Sequence, residues 1–181
     1  MYTPRLTKEG MLNSKYWYSN TNPFYASNWG LPNCTCYAWG RFWETYGVVP
    51  HLPTGDGGEW WGAVSGYNTG AVPQPGAVLC LERPGYAGHV CIVEYIDDNG
   101  NAVCSNSGYS RNPGGYDDPD YFWVSTQLKS LGYLTQSQAN NGYRFQGFIY
   151  NPDYDGGEPG PGPGPSPGAK RKRRWKFYLY G

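Results

Sequence analysis

The segment Pro32-Asn33-Cys34-Thr35-Cys36 sets two thiols directly behind residue types that open helices, with Asn33 as the expected N-cap. A thiol in the first helical turn feels the positive end of the helix dipole and nearby unpaired N–H groups. Both favour thiolate and predict a lowered pKa for Cys34. The same N–H groups are expected to form part of an oxyanion hole. Cys36 lies about 200° further around a helix, so only one thiol can face a given cleft, and Cys34 is nearer the helix end. A nucleophilic thiol needs a base. Of two histidines, His51 lies among Pro50 and Pro53 and reads as a solvated loop residue, whereas His89 opens the apolar run Gly88-His89-Val90-Cys91-Ile92-Val93-Glu94. The third member of such a site orients the imidazole. Asn106, in Cys104-Ser105-Asn106-Ser107, falls on the expected neighbouring antiparallel strand, where cross-strand side chains lie roughly 5 Å apart. A plain turn-forming role for Asn106 is the ordinary competitor. Glu94 is a second candidate orienter, but period-2 alternation puts it on the face opposite His89, so it ranks below Asn106.

These residues need elements to hold them. The helix is expected from Cys34 to about Tyr46, stopping at Gly47, with Gly40 weakening it from within. Residues 57–69 suit a short second helix. After Pro73-Gln74-Pro75-Gly76 the period changes, and residues 76–82, 88–96 and 101–107 read as strands. The last two are joined at residues 97–100, where Asn99-Gly100 suits a tight hairpin. Residues 121–124 and 145–150 are later strand candidates, and 128–133 carries no clear pattern. Residues 1–32 read as an irregular lead-in and 110–120 as loop. Helices followed by an antiparallel meander make an α+β layout.

Composition bounds the rest. A chain of 181 residues holds one core plus appendages. Aromatic residues make up 18% of it, enough for a ring-packed core, with carbohydrate stacking as the second use of such rings. The catalytic domain is expected over residues 1–154, a Pro/Gly spacer over 155–169 and a separate basic-aromatic tail over 170–181. Charge is segregated: eight basic residues face fourteen acidic ones before position 169, and six basic residues follow it. An acidic body is a poor nucleic-acid ligand, so no nucleic-acid partner is expected, and the tail suggests at most an anionic surface nearby. Five cysteines at 34, 36, 80, 91 and 104 form no CxxC pair, and most sit in apolar runs, which suits synthesis in a reducing cytosol. Neither a signal-peptide core nor an 18-residue apolar run is seen, so membrane insertion is not expected.

The segments also fall into a familiar order. Asn33-Cys34-Thr35-Cys36-Tyr37-Ala38-Trp39-Gly40-Arg41 resembles the signature of the CHAP family, the cysteine, histidine-dependent amidohydrolases/peptidases. Gly58-Glu59-Trp60-Trp61-Gly62-Ala63-Val64 and Pro73-Gln74-Pro75-Gly76-Ala77-Val78 are similar to two further family segments, and residues 88–94 to its Gly-His-Val strand. Ser105-Asn106-Ser107-Gly108-Tyr109 stands where the family often has Ser-Glu-x-Asn-Tyr. The resemblance spans roughly residues 25–150. It implies a papain-like (NlpC-type) fold with N-terminal helices on an antiparallel sheet, a Cys34–His89 dyad with Asn106 as third residue, and no cofactor. It further implies a peptidoglycan hydrolase, an N-acetylmuramoyl-L-alanine amidase or an endopeptidase. The departures are Asn33 in place of the usual Gln, and Asn106 and Gly108 in place of Glu and Asn. Some members carry a calcium loop ahead of the cysteine; residues 20–33 contain no acid, so no metal site is expected.

Substrate contacts are expected from Asn33, Trp39, Trp61 and Tyr109, with Trp60 as a further cleft candidate, although core packing is the first reading for most of these rings. The Asn22-Pro23-Phe24-Tyr25 lead-in, the spacer and the tail resemble phage or prophage lysins of Gram-positive bacteria. The expected partner is then Gram-positive peptidoglycan, with phage tail components or anionic wall polymer as partners for the tail. Such a protein is made in the host cytoplasm and acts outside it, released by holin-mediated lysis or carried on a particle. The competing reading is a CHAP-fold particle component or wall-binding module with weak or no hydrolysis; a peptidase acting on proteins is a third.

Overall fold

The computed structural model of the protein describes residues 2–108 and 121–152. Tyr109, the loop at 110–120, the spacer and the basic-aromatic tail lie outside these residues. The lead-in contains a four-residue helix α1 (Pro23–Ala26), and the main helix α2 spans Cys34–Tyr46. A 3-10 turn (Gly57–Glu59) runs into the short helix α3 (Trp60–Ala63). Six strands follow: β1 (Thr69–Gly70), β2 (Val78–Glu82), β3 (His89–Ile96), β4 (Ala102–Asn106), β5 (Trp123–Gln127) and β6 (Arg144–Ile149). They form one antiparallel sheet of order β1-β6-β2-β3-β4-β5. The α+β, papain-like fold implied by the sequence is the fold observed.

Both faces of the sheet are covered, which is why β2 and β3 read as continuous apolar runs rather than alternating ones. One face, carrying Val78, Cys80, Val90, Ile92 and Ile149, packs against Tyr37, Phe42 and Trp60. The other, carrying Leu79, Leu81, Cys91, Val93, Cys104 and Phe148, packs against Leu134 and the rings of Tyr133 and Phe145. The turn between β3 and β4 falls on Asp97–Gly100 as expected and closes a tight hairpin with a three-residue loop. The Gly100 amide donates to Asp97 O at 2.8 Å, Gly100 takes φ +76°, and the Asp97 amide donates to Asn101 O at 3.0 Å. Gly100 thus fills the left-handed position that follows a type I turn.

Two stretches depart from expectation. The lead-in is a buried strap: Met11 and Trp17 are fully buried, and Trp17 Nε1 donates to Tyr37 O at 3.0 Å. Its ring also explains Gly40, since a Cβ there would stand 2.5 Å from the Trp17 ring. Helix α2 accepts the glycine's propensity cost of about 1 kcal/mol so that the strap can close on it. The unassigned stretch after β5 holds a 3-10 turn (Lys129–Leu131) and a short helix α4 (Gln136–Asn140). Its start is a capping box: the Gln138 amide donates to Thr135 Oγ1, and the Thr135 amide donates to Gln138 Oε1.

The strap, α2, β3 and β4 meet at a buried ionic network. Arg41 donates from Nε and Nη2 to the two Glu94 carboxylate oxygens at 3.0 and 2.8 Å. Glu94 also accepts from the Tyr2 hydroxyl, the Arg5 amide and Ser105 Oγ at 2.8, 2.7 and 2.5 Å. Glu44 bridges Arg41 and Arg5 at 2.7 and 2.6 Å. Every carboxylate oxygen of Glu94 is therefore used on the helix-facing side, which removes it as an orienter of His89. Glu94→Ala leaves the Arg41 guanidinium buried without its bidentate partner and is expected to lower unfolding free energy by about 3–5 kcal/mol. Replacing both residues with apolar side chains, as in Arg41→Met with Glu94→Leu, is expected to cost less than the single change. Urea melts of the three proteins check the order.

Candidate active site

Helix α2 begins with its cap in place. Asn33 Oδ1 accepts from the Thr35 amide at 2.8 Å, the Cys36 amide at 3.0 Å and Thr35 Oγ1 at 2.6 Å. The expected N-cap is thus formed, but the expected oxyanion donors are changed by it. The Thr35 and Cys36 amides serve Asn33, and the amide of Cys34 itself is the first-turn donor that the cap does not use. The carbonyl end of the Asn33 side chain is likewise committed to the helix rather than offered to a ligand.

The two thiols diverge as the helical geometry requires: Cys36 is buried in the core and Cys34 is partly exposed. All five cysteines are free thiols. The Cys34 sulfur accepts a hydrogen bond from the backbone amide of Val90, the residue after His89, so it rests against the start of β3. Its pKa does not follow the helix-dipole expectation. Burial pushes the thiol up to about 11, while the amides of Val90, Thr35 and Cys34 pull it down without reversing the shift. Desolvation exceeds what a helix end and three amides return. Burial pushes the Cys36 thiol higher still, to about 12.

His89 opens β3 opposite Leu81 of β2 and is 9% exposed. By strand alternation its side chain belongs to the face away from α2, the face that also carries Asn106. There His89 Nε2 meets Asn106 Oδ1 at 3.0 Å. The other end of the Asn106 amide fixes the roles. Its Nδ2 donates to Cys104 O at 2.9 Å, Trp123 O at 3.4 Å and Ser125 Oγ at 3.0 Å. Two of those partners are carbonyls and can only accept, so Oδ1 faces the imidazole, and Nε2 must carry the proton. Nδ1 is the ring nitrogen that Asn106 does not engage. Thiol and imidazole thus reach the start of β3 from opposite faces of the sheet, the sulfur from the helix side and the ring from the side of β4 and β5.

Backbone contacts seal this corner. Gly88 takes φ +72°, and a Cβ there would stand 2.6 Å from Gly58 Cα and Leu81 O. The close approach expected at Gly88 is therefore made by the Gly57–Glu59 turn, with the Gly58 amide donating to Ala87 O at 2.8 Å. Trp123, paired with Asn106 across β4 and β5, stacks on the His89 ring with centroids 5.9 Å apart and planes 19° apart. The sequence reading passed over this residue. Its signal was available in the β5 register, which puts residue 123 beside 106.

Burial places two of the candidate rings, Trp39 and Trp60, in the core. Trp39 is 3% exposed and packs edge-on against Trp43, so it is a core residue. Trp60 is fully buried, its Nε1 donating to Gly55 O. Trp61 is partly exposed but lies over Gly147 of β6. Among the described residues, no group of three or more His, Cys, Asp and Glu side chains is placed to hold a metal ion. None of the described helices is long and apolar enough to cross a membrane.

A helix-borne thiol seated on the amide that follows a strand-borne histidine, whose imidazole meets an amide on the next strand, is an arrangement that suits a cysteine hydrolase with a papain-like fold. The family model of the CHAP domain matches residues 16–108, just over half of the chain. The chain belongs to the CHAP family, whose members are cysteine- and histidine-dependent amidohydrolases and peptidases. The match takes in the second half of the buried strap and ends after β4, so β5, α4 and β6 lie beyond it.

Two expectations follow from the geometry. With the thiol pKa near 11, only about one Cys34 in a thousand is thiolate at pH 8 unless a base takes the proton. In His89→Ala, the iodoacetamide rate at Cys34 should therefore climb about tenfold per pH unit toward pH 11. Wild-type protein should show an added limb at lower pH, and identical profiles would disprove proton transfer between the two groups. At position 106, Asn106→Asp is isosteric but sets a second acceptor against the Cys104 and Trp123 carbonyls. It is expected to cost about 1–3 kcal/mol in urea unfolding despite placing a carboxylate beside the imidazole.

Proposed function

We propose that this protein is a peptidoglycan hydrolase that cleaves an amide bond by acyl transfer. The observation that carries the reading is the seating of the Cys34 sulfur on the Val90 amide, one residue from an imidazole whose tautomer Asn106 fixes. In this reading, His89 Nδ1 takes the Cys34 proton as the sulfur attacks the amide carbonyl. The oxyanion forms against the Cys34 amide at the helix end. Collapse breaks the C–N bond, and the imidazolium gives its proton to the leaving amine. Water, deprotonated by His89, then attacks the thioester, and the thiol leaves with the proton. Because the resting thiol is held neutral, the proton moves with the attack instead of beforehand.

The substrate is Gram-positive peptidoglycan, cut either between muramic acid and L-alanine or within the peptide. The source is a phage or prophage lysin acting outside the cytoplasm after lysis or on a particle, with the tail at 170–181 reaching wall polymer or tail components. A second reading is favoured by one observation: a thiol pushed up to about 11 suits a particle component or wall-binding module whose hydrolysis is weak.

Purified Gram-positive walls separate the two. Wild-type protein should solubilise them, Cys34→Ala and His89→Ala should lose at least a hundredfold in rate, and Asn106→Ala should lose roughly 10- to 100-fold. Mass spectrometry of the products then reads the bond: an amidase frees stem peptides with N-terminal L-alanine. If Cys34→Ala clears walls as fast as wild type, the catalytic assignment fails. If wild type binds walls without releasing fragments, the second reading holds.

A further inference from the structure

A cavity of about 490 Å³ opens on the imidazole side of the sheet, lined by His89, Trp123, Ser125, Ser137, Tyr143 and Arg83 among others. It runs between β5, α4 and the loop that precedes β3, with His89 among its lining residues. No Asp or Glu is among the described residues that line it, so Arg83 is its one permanently charged side chain.

Among the described residues, Arg83 is held by rings and a backbone carbonyl rather than by a carboxylate. Its guanidinium carbon stands 3.9 Å from the Tyr86 ring centroid and 5.4 Å from that of Tyr143. Its Nε donates to Asn141 O at 2.9 Å. The two rings and the carbonyl fix the plane of the fork, while no carboxylate among the described residues pairs with it. The nearby ion pair, Arg144 with Glu82 at 3.7 Å, is a separate and exposed one. A pre-oriented guanidinium is a bidentate receptor for a carboxylate, and orienting it in advance removes the entropy that a free side chain would lose on binding.

We infer that Arg83 is a carboxylate-binding subsite of the His89 cavity, and that it holds a free carboxylate of the peptide substrate while the scissile amide lies at the sheet rim. The inference deepens the hydrolase reading and rests on it for the identity of the ligand. Peptidoglycan stem peptides offer carboxylates both along the peptide and at its end. Arg83 would select stems in which one of these is free over stems in which it is amidated.

Binding tests this without turnover. Titration of Cys34→Ala protein with a muramoyl tetrapeptide whose carboxylates are free, and with its fully carboxamidated form, should show about 10- to 100-fold tighter binding of the free acid. Adding Arg83→Gln should erase that preference with an unchanged thermal midpoint, and Arg144→Gln, a nearby charge outside the cavity, should keep it. In the active protein, Arg83→Gln should raise KM for the free-acid peptide about tenfold or more and leave kcat within about threefold. Equal binding of acid and amide, or a preference that survives Arg83→Gln, overturns the subsite. Loss of the preference in Arg144→Gln as well reduces it to general charge attraction and overturns it too. If the free-acid preference is found but no peptide is cut, the subsite stands and the hydrolase reading fails.

Discussion

The buried pair of Arg41 and Glu94 is the constraint on which the rest of the structure depends. Glu94 is fully buried and the Arg41 side chain is 5% exposed, so neither charge has water to fall back on. Taking both from solvent costs several kcal/mol each, and only dense hydrogen bonding offsets it. Here the offset is drawn from three parts of the chain: Tyr2 and Arg5 from the strap, Glu44 from α2, and Ser105 from β4, which in turn accepts from the Tyr37 hydroxyl at 2.8 Å. Burial works against the Arg41 charge, yet Tyr2 and Glu94 hold its pKa above the ordinary arginine range. The pair therefore stays ionised, and the geometry that satisfies it is narrow.

That narrowness positions the chemistry. Arg41 lies seven residues beyond Cys34 on α2, roughly 10 Å along the helix axis. Glu94 lies five residues beyond His89 on β3, roughly 17 Å along the strand. The ion pair pins helix to strand near one end of their contact, and the Val90 amide on the Cys34 sulfur pins them near the other. Two separated attachments fix sliding and rotation together, which one could not. The Cys34 sulfur is consequently located by residues two helical turns away from it, and by a strap whose first residues carry none of the expected chemistry.

Much of this was legible in the sequence. Helix α2 was readable from Asn33 through Gly47 because its cap and its left-handed stop are chemically distinctive residues. The strands from 78 to 106 were readable from their apolar runs and the Asp97–Gly100 turn residues. Period-2 alternation correctly kept Glu94 off the His89 face, since that argument needs only the strand. What could not be read depends on residues far apart in the chain. The strap looked irregular because Met11 and Trp17 bury themselves singly, without a period, and Gly40 marks the contact only once Trp17 is known to sit on it. Helix α4 was missed although Thr135 and Gln138 have capping-box spacing, because five residues without a buried side chain leave no periodic trace. The thiol pKa was misjudged for the same reason: a helix end is visible locally, whereas the packing that desolvates it is not.

The placement of the site at a sheet rim follows from the two covered faces. A sheet buried on both sides offers no open surface along β3, and Cys34 and His89, which approach it from opposite faces, share only the start of that strand. At that point one flank is closed by the backbone contact of Gly58 on Gly88. The other is left low by Gly108, where even an added Cβ would lie 3.6 Å from the Trp123 ring and 4.0 Å from His89 Cε1, ordinary contact distances. The two glycines therefore act in opposite senses. Gly88 lets backbone close against backbone, while Gly108 adds no side chain beside the Trp123 and His89 rings.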